Sequence, residues 1–169
     1  VSTPGTVADS SNPVGLALDL RLGAPTTLGP ELVVNGDFAA GGSDWEVAYG
    51  IPSCAQFIDS RLEIVAPGNF LIYQNIGPIS QSKIYEVSWY QYSPGGGRFI
   101  ISIGDVGWWL LTEGTGQKTF RVSPGGSGQF VAVSQGGTSP GDWCDNISVR
   151  EVPGNHLLQA TSTARPLGS

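Results

Sequence analysis

Between Glu31 and Glu151 the chain is a series of short alternating segments separated by turn residues, and this pattern restricts the fold more than any other feature. Within the segments apolar and polar side chains alternate with a period of two, which is typical of strands with one buried face. Clusters such as Pro67-Gly68-Asn69 and Ser93–Gly97 lie between them. No window shows the 3.6-residue period of an amphipathic helix. The pattern therefore predicts an all-β, antiparallel sandwich.

The composition supports a folded sandwich over a disordered chain. The 25 glycines and 12 prolines exceed ordinary usage, but hydrophobic residues still make up 40% of the chain. That share is enough for a core, so the glycines and prolines are interpreted as turn residues of a domain rich in short strands.

The segment Lys83–Tyr92 indicates which side chains face the core. Its alternation places Tyr85, Val87 and Trp89 on one face and Glu86, Ser88, Tyr90 and Tyr92 on the other. The first set is the more apolar, so we expect it to be buried and the two tyrosines of the second set to lie outside.

The residues on either side of this region have a different composition. Residues 1–30 are rich in proline, serine and threonine, and their one apolar patch, Val14–Leu22, alternates as a strand would. Such a strand needs a partner, because an unpaired apolar strand promotes association. The sequence thus predicts an N-terminal arm (1–30), a sandwich module (31–151) and a C-terminal arm (152–169). The residues expected to make the arms' contacts are Leu16, Leu18, Leu20, Leu157 and Leu158.

The charge of the chain excludes one class of partner. Fourteen acidic and eight basic residues give a net charge of -6, whereas a phosphate backbone requires a cationic surface. No apolar run approaches the roughly 18 residues of a membrane span, and the N-terminus lacks the pattern of a secretory signal. There is no methionine, so we expect a processed chain or part of a longer one.

Few residues are suited to catalysis. His156 is the one histidine and lies in the C-terminal arm, so a Ser-His-Asp arrangement is not supported. Cys54 and Cys144 have no histidine within the module to activate them. These two cysteines could form a disulfide or remain buried thiols. The glycines do not follow a strand and open a helix, as phosphate-binding loops do. We therefore expect a protein that is not an enzyme.

Three stretches of the module resemble a known family. They are ELVVNGDF followed by Trp45, then YQNIGPISQSKIYEVSWY, and finally DWCDNISVREV. Together they resemble carbohydrate-binding modules of the family 4/9 type, which are galactose-binding-domain-like jelly rolls. The matching positions are Asn35, Gly36, Phe38, Trp45, Gln74, Gly77, Tyr85, Val87, Ser88, Trp89, Asp145, Asn146, Ile147 and Val149. The resemblance implies a jelly-roll β-sandwich with extended arms.

The flanks resemble a second group of proteins. NPVGLALDLRLG and PGNHLLQATSTARP are similar to segments that border sandwich modules in tailed-bacteriophage virion proteins. This resemblance implies a non-catalytic virion-surface protein, either a capsid-decoration or a fibre component. Its partners would be capsid or tail subunits, it would be a homo-oligomer, and it could also bind host or environmental glycans. The alternatives are a carbohydrate-binding module of a secreted glycoside hydrolase and a spacer that binds no ligand.

Two carboxylates are candidate metal ligands. The family resemblance implies a structural calcium near the first and last strands, held here by Asp37 and Asp145, and oxygen ligands suit such a cation. Asp145 shares its parity with Ile147 and Val149, so it is expected to point inward, where an unpaired carboxylate is costly. The alternative is that both aspartates cap turns.

A set of aromatic residues is the candidate ligand surface. It comprises Tyr73, Tyr90, Tyr92, Trp108 and Trp109, with polar partners drawn from Glu86, Arg98, Asn75 and Gln91. Sugar rings stack their C–H groups on aromatic faces, which favours a glycan cleft. The same residue types are enriched at protein interfaces, and rings of this kind also fill cores.

Overall fold

The structure is a computed structural model that describes residues 27–104, 110–124, 126 and 128–153. Ten β-strands lie in this part of the chain, and none of its residues is helical. The strands are β1 (Glu46–Tyr49), β2 (Ala55–Ile58), β3 (Arg61–Ile64), β4 (Leu71–Asn75), β5 (Tyr85–Tyr92), β6 (Arg98–Ile103), β7 (Leu110–Leu111), β8 (Gly116–Val122), β9 (Phe130–Gly136) and β10 (Trp143–Glu151).

The strands form two five-stranded sheets. Sheet A has the order β2-β3-β10-β5-β8 and sheet B the order β1-β4-β9-β6-β7. Every strand pair is antiparallel. The predicted all-β antiparallel sandwich is therefore confirmed. Among the described residues we find no helix with the length and apolar character needed to cross a bilayer.

The core lies between the inner faces of the two sheets. On β5 the side chains of Tyr85, Val87, Trp89 and Gln91 are buried, and those of the residues between them are not. This is the orientation predicted from the alternation. Phe99 and Ile101 of β6 in sheet B are fully buried in the same core cluster. Each such side chain contributes about 1.5–3 kcal/mol to the free energy of unfolding.

The segment Glu31–Val34, at the start of the predicted sandwich module, forms a single bridge in place of a regular strand. Glu31 pairs with Arg150, and the backbone N–H of Leu32 donates to the carbonyl of Val149. The pairing of β3 with β10 extends only over Trp143 and Cys144. The Glu31 segment therefore occupies the place beside the second half of β10 that β3 leaves open.

This segment ends in a tight crossing to the other sheet. Asn35 has a positive φ of 51°, and a Cβ on Gly36 would lie 2.0 Å from the carbonyl oxygen of Ile147. Beyond the turn, Phe38 and Trp45 are buried in the core. All four residues are among the positions that carry the family resemblance.

One orientation on β10 differs from the prediction. Cys144 is buried and Asp145 faces outward, so the prediction that Asp145 points inward is wrong. The cause is a β-bulge: the register moves from Asp145↔Tyr90 to Ser148↔Ser88, and Asn146 has a φ of 55°. The extra residue reverses the parity, so Ile147 returns to the core.

Both cysteines are buried free thiols, so the alternative of a disulfide does not hold. Burial raises the pKa of Cys144 well above its ordinary value, and the charge of Asp145 adds to this. The Cys54 thiol lies 3.1 Å from the carbonyl oxygens of Gly50 and Asn69.

Several sequence predictions fall outside the described residues. They concern Trp108 and Trp109 of the aromatic set and most of both arms, with the leucines Leu16, Leu18, Leu20, Leu157 and Leu158. The division at residues 30 and 152 therefore stays a prediction.

Candidate functional site

The structure divides the predicted aromatic set between the two outer faces of the sandwich. Tyr73 and Arg98 lie on sheet B, whereas Tyr90, Tyr92 and Glu86 lie on sheet A. Trp108 and Trp109 are outside the described residues. Because packed sheets are about 10 Å apart, residues on the two outer faces cannot line one cleft. Each face is a separate candidate.

On sheet B an aromatic pair faces outward. The rings of Tyr73 and Phe130 meet edge to face, with centroids 5.5 Å apart and an angle of 88° between the planes. The Tyr73 hydroxyl donates to a carboxylate oxygen of Glu46 at 2.8 Å. This hydrogen bond, with burial and the charge of Glu46, raises the pKa of Tyr73. We call Glu46, Tyr49, Tyr73 and Phe130 the sheet B surface.

Small side chains lie next to the sheet B surface. Going across the sheet from β4, the residue on β9 that pairs with Tyr73 is Ala132, and Ala132 pairs in turn with Ser102 on β6. Leu71 pairs with Ser134 on β9. Large side chains return on β6, where Arg98 lies over Gly136: a Cβ on that glycine would be 2.9 Å from the Arg98 Cγ. The outer face of sheet B thus has a strip of small side chains at Ala132, Ser102 and Ser134, with the aromatic pair on one side and Ile100 and Arg98 on the other.

Polar groups are available at the margin of the aromatic pair. The Asn75 side-chain amide donates to Gln129 at 3.4 Å, and Asn75 pairs with Phe130 across the sheet. Tyr49, on the edge strand β1, is 53% exposed and Phe130 is 42% exposed. The sequence prediction missed Phe130, although its parity with Ala132 and Ser134 places it on the outer face.

On sheet A a stack of side chains crosses three adjacent strands. The rings of Tyr90 and Tyr92 from β5 stack on Trp143 from β10, with centroids 5.3 and 5.7 Å away and plane angles of 27° and 16°. The guanidinium of Arg61 from β3 lies 5.1 Å from the Trp143 ring. We call Arg61, Trp143, Tyr90 and Tyr92 the sheet A stack. Tyr90 and Tyr92 face outward as predicted.

Trp143 and Arg61 were not among the predicted site residues. Trp143 has the same parity as Asp145, which was expected to face inward. A period-two argument that ignores the bulge in β10 therefore assigns Trp143 and Asp145 to the wrong face. Arg61 is held by two hydrogen bonds to one oxygen of Glu63, from Nε at 3.0 Å and Nη2 at 2.7 Å.

Two predicted polar partners have other roles. The Gln91 side chain is fully buried, where it accepts from the Trp89 indole at 3.0 Å and donates to the carbonyl of Gly114 at 2.7 Å. The proposal that it contacts a ligand is therefore wrong, because it faces the core. Glu86 accepts from Arg121 at 2.9 Å and lies four residues from Tyr90 along β5, which is about 13 Å.

Asp37 and Asp145, the predicted calcium ligands, are near each other. Burial raises the pKa of Asp145 and the charge of Asp37 adds to this, while a hydrogen bond from Asn146 and the charge of Arg61 oppose the rise. Asp145 accepts from the Asn146 backbone at 2.6 Å and side chain at 3.0 Å, and Asp37 accepts from Ala39 at 3.2 Å.

The predicted pair fits a calcium site in part. No group of three or more His, Cys, Asp or Glu side chains suited to a metal occurs in the described ranges. Calcium takes six to eight oxygen ligands, so backbone carbonyls and water would have to supply the remainder. Calcium binding stays a prediction, and the turn-capping alternative is consistent with the hydrogen bond from Ala39 to Asp37.

Comparisons with known proteins identify the fold. No protein-family model matches the chain, and no curated protein matches its sequence. Among solved structures, the second N-terminal cellulose-binding domain of Cellulomonas fimi β-1,4-glucanase C has a TM-score of 0.55 at 17% identity, covering 78% of this chain and all 100% of that domain. A family 61 carbohydrate-binding module in complex with β-1,4-galactotriose has a TM-score of 0.52 at 17% identity, covering 72% and 98% of the two chains.

A bacteriophage protein shares the fold as well. The enzymatically active domain of bacteriophage CBA120 tailspike protein 4 has a TM-score of 0.53 at 12% identity, covering 72% of this chain and 21% of that one. Likenesses at these identities show the fold alone. The fold is thus the jelly-roll β-sandwich found in carbohydrate-binding modules, which confirms the fold implied by the family resemblance. The tailspike likeness gives no support to a virion role.

Proposed function

We propose that this chain is a non-catalytic carbohydrate-binding module and that the sheet B surface is its glycan site. The observation that carries the proposal is the outward-facing Tyr73–Phe130 pair beside a strip of small side chains. An edge-to-face pair holds its two rings in fixed, perpendicular planes. A pyranose can therefore place a C–H face on one ring without a large loss of side-chain entropy.

Polar groups next to the rings supply orientation. Specific ligand sites combine an apolar wall with a few placed polar groups, and here Glu46, Asn75 and Gln129 lie at the edges of the aromatic pair. Their carboxylate and amide groups are suited to hydrogen-bonding sugar hydroxyls. The fold likeness to carbohydrate-binding modules supports the same assignment.

The charges of this face favour a neutral glycan. Arg98, the cation on this face, forms an ion pair with Glu113 at 3.2 Å, and Glu46 adds a negative charge beside the rings. Together with a net charge of -6, these carboxylates would repel a polyanionic chain.

The hypothesis of a virion-surface protein has weaker support than that of a carbohydrate-binding module. It rests on the flanks, which lie largely outside the described residues, and the comparisons do not favour it. Capsid or tail partners, homo-oligomer formation and a virion-surface location, as against a secreted one, therefore stay predictions.

The test is binding of the full chain to a panel of neutral oligosaccharides that includes cellohexaose and β-1,4-galactotriose. The double variant Tyr73→Ala/Phe130→Ala removes both rings, and we expect at least about tenfold weaker binding, equivalent to about 1.4 kcal/mol. Tyr73→Phe keeps the ring, and Ile84→Ala removes an exposed apolar side chain elsewhere. Both controls should retain binding. Unchanged affinity in the folded double variant, or no binding by the wild type, would contradict the proposal.

A further inference from the structure

We infer that the sheet A stack is a second carbohydrate-binding surface, so that one chain contacts two glycan strands on opposite faces. This inference rests on the proposed function for the class of ligand, but it concerns different residues. The stack lies on the outer face of sheet A and the first site on the outer face of sheet B. One sugar chain lying on either face cannot contact the other, since the whole sandwich separates them.

The stack is held rigidly before any ligand arrives. In the order of sheet A, β10 lies between β3 and β5. Trp143 is therefore covered by Arg61 on one side and by Tyr90 and Tyr92 on the other. Glu63 in turn fixes the Arg61 guanidinium. Rings already fixed in place lose little entropy on binding, which favours affinity.

The open side of the stack faces β8. Trp143 occupies the side of the tyrosine rings towards β10, so the faces left for a ligand are those towards the next strand. There Gln117 lies opposite Tyr90, and Gly116 lies opposite Gln91. Gln117 is exposed, so its side chain is the one that borders the tyrosine rings on this side.

The spacing of the rings suits an extended ligand that runs along β5. Tyr90 and Tyr92 are two residues apart on one face, which places them about 6.8 Å apart along the strand. Each ring can thus contact a different unit of an oligosaccharide. The exposed side chain of Gln117 provides a donor and an acceptor for hydroxyl groups at the same place.

A protein partner fits this surface less well. Interfaces of standard size bury about 800 Å² on each partner around an apolar centre. Tyr92 is the one large apolar side chain of the stack that is strongly exposed, at 39%. Polar side chains border the stack: Glu63 lies opposite Trp143, and Asp145 and Gln117 lie on either side of Tyr90. The ion pair of Arg61 with Glu63 leaves no free cation in the stack, so a neutral glycan is the expected ligand.

The experiment is a titration of the full chain with cellohexaose and β-1,4-galactotriose, followed by NMR. The indole N–H resonance of Trp143, assigned with Trp143→Phe, reports on the stack. We expect this signal to shift both in the wild type and in Tyr73→Ala/Phe130→Ala, which lacks the first site. Calorimetry should give two sites for the wild type and one for that variant.

Two variants test the stack itself. Tyr90→Ala/Tyr92→Ala removes the rings and should weaken the second site at least about tenfold. Because this variant uncovers Trp143, we add Gln117→Trp, which fills the open side and leaves the stack intact. It should abolish the Trp143 shift without changing the melting temperature, while Thr119→Ala on the same strand should change neither.

The possible outcomes are distinguishable. If Tyr73→Ala/Phe130→Ala loses all binding, the second site is refuted and the proposed function stands. If neither probe binds the wild type at either face, both proposals fail. A Trp143 shift that depends on protein concentration in place of sugar concentration would identify the stack as a self-association surface and overturn the inference.

Discussion

Glu31 shows how much one side chain contributes to joining the two ends of this fold. Its carboxylate accepts hydrogen bonds from the Ser148 hydroxyl at 2.5 Å, the Val149 backbone at 2.8 Å and the Arg150 guanidinium at 3.0 Å. Burial alone would raise the pKa of Glu31, but these bonds, with one from the Val33 backbone, outweigh it and lower the pKa. The ionised form therefore stabilises the folded state.

We predict that Glu31→Gln lowers the free energy of unfolding at pH 7 by about 1–3 kcal/mol, because hydrogen bonds to a charged group are lost. The lowered pKa fixes the sign of the pH dependence. The contribution is present above the pKa of the unfolded chain and is lost as pH falls through the folded value. In urea unfolding, the difference in free energy of unfolding between the wild type and Glu31→Gln should therefore be smaller at acidic pH than at pH 7. Glu113→Gln, which removes an exposed pair, should cost less than about 1 kcal/mol.

Other residue orientations separate what the sequence can predict from what it cannot. Tyr90 and Tyr92 were placed correctly because β5 is regular and a strand alternates with a fixed period. Asp145 and Trp143 were not, because one extra residue at Asn146 reverses the alternation of β10. No residue pattern near Asn146 predicts a β-bulge at this position. The ring contacts between Trp143 and β5 also depend on strand order, which a period-two pattern does not contain.

At the scale of elements, β10 is the strand around which sheet A is organised. It pairs with β5 along most of its length, with β3 at its start and with the Glu31 segment near its end. The bulge lies where the crossing turn at Gly36 approaches. The N–H of Ile147 donates to the carbonyl of Gly36 at 2.9 Å. The bulge and the turn therefore form one packed unit.

Gly36→Ala is the substitution that tests this unit. The added methyl would lie 2.0 Å from the Ile147 carbonyl oxygen, so either the turn or β10 must move. We expect the free energy of unfolding to fall by about 3 kcal/mol or more, at the upper end of overpacking effects. Gly95→Ala is the matched control, because its Cβ would meet nothing within 4 Å. Similar denaturation midpoints for the two variants would show that the close approach does not constrain the fold.

At the scale of the whole molecule, the two ends of the sandwich meet at one place. The pairing of Glu31 with Arg150, the hydrogen bond between Gly36 and Ile147 and the charge interaction of Asp37 with Asp145 all join the first described segment to the last strand. The first two are stabilising. The third is a repulsion between carboxylates, unless a cation lies between them. The position of this pair was implied by the family resemblance, and the sequence alone contains no other sign that residues so far apart approach one another.

Thermal unfolding in calcium and in chelator therefore tests the predicted metal site. If calcium binds between Asp37 and Asp145, a concentration one hundred times its Kd stabilises the chain by about 2.7 kcal/mol, and the melting temperature rises. The change in melting temperature caused by Asp37→Asn then has opposite signs in chelator and in calcium. In chelator it relieves the repulsion and melts at or above the wild-type temperature; in calcium it melts below, because a ligand is missing. Asp44→Asn, which alters an exposed carboxylate outside the pair, should keep the response to calcium. Equal wild-type melting temperatures in the two conditions would leave turn capping as the role of both aspartates.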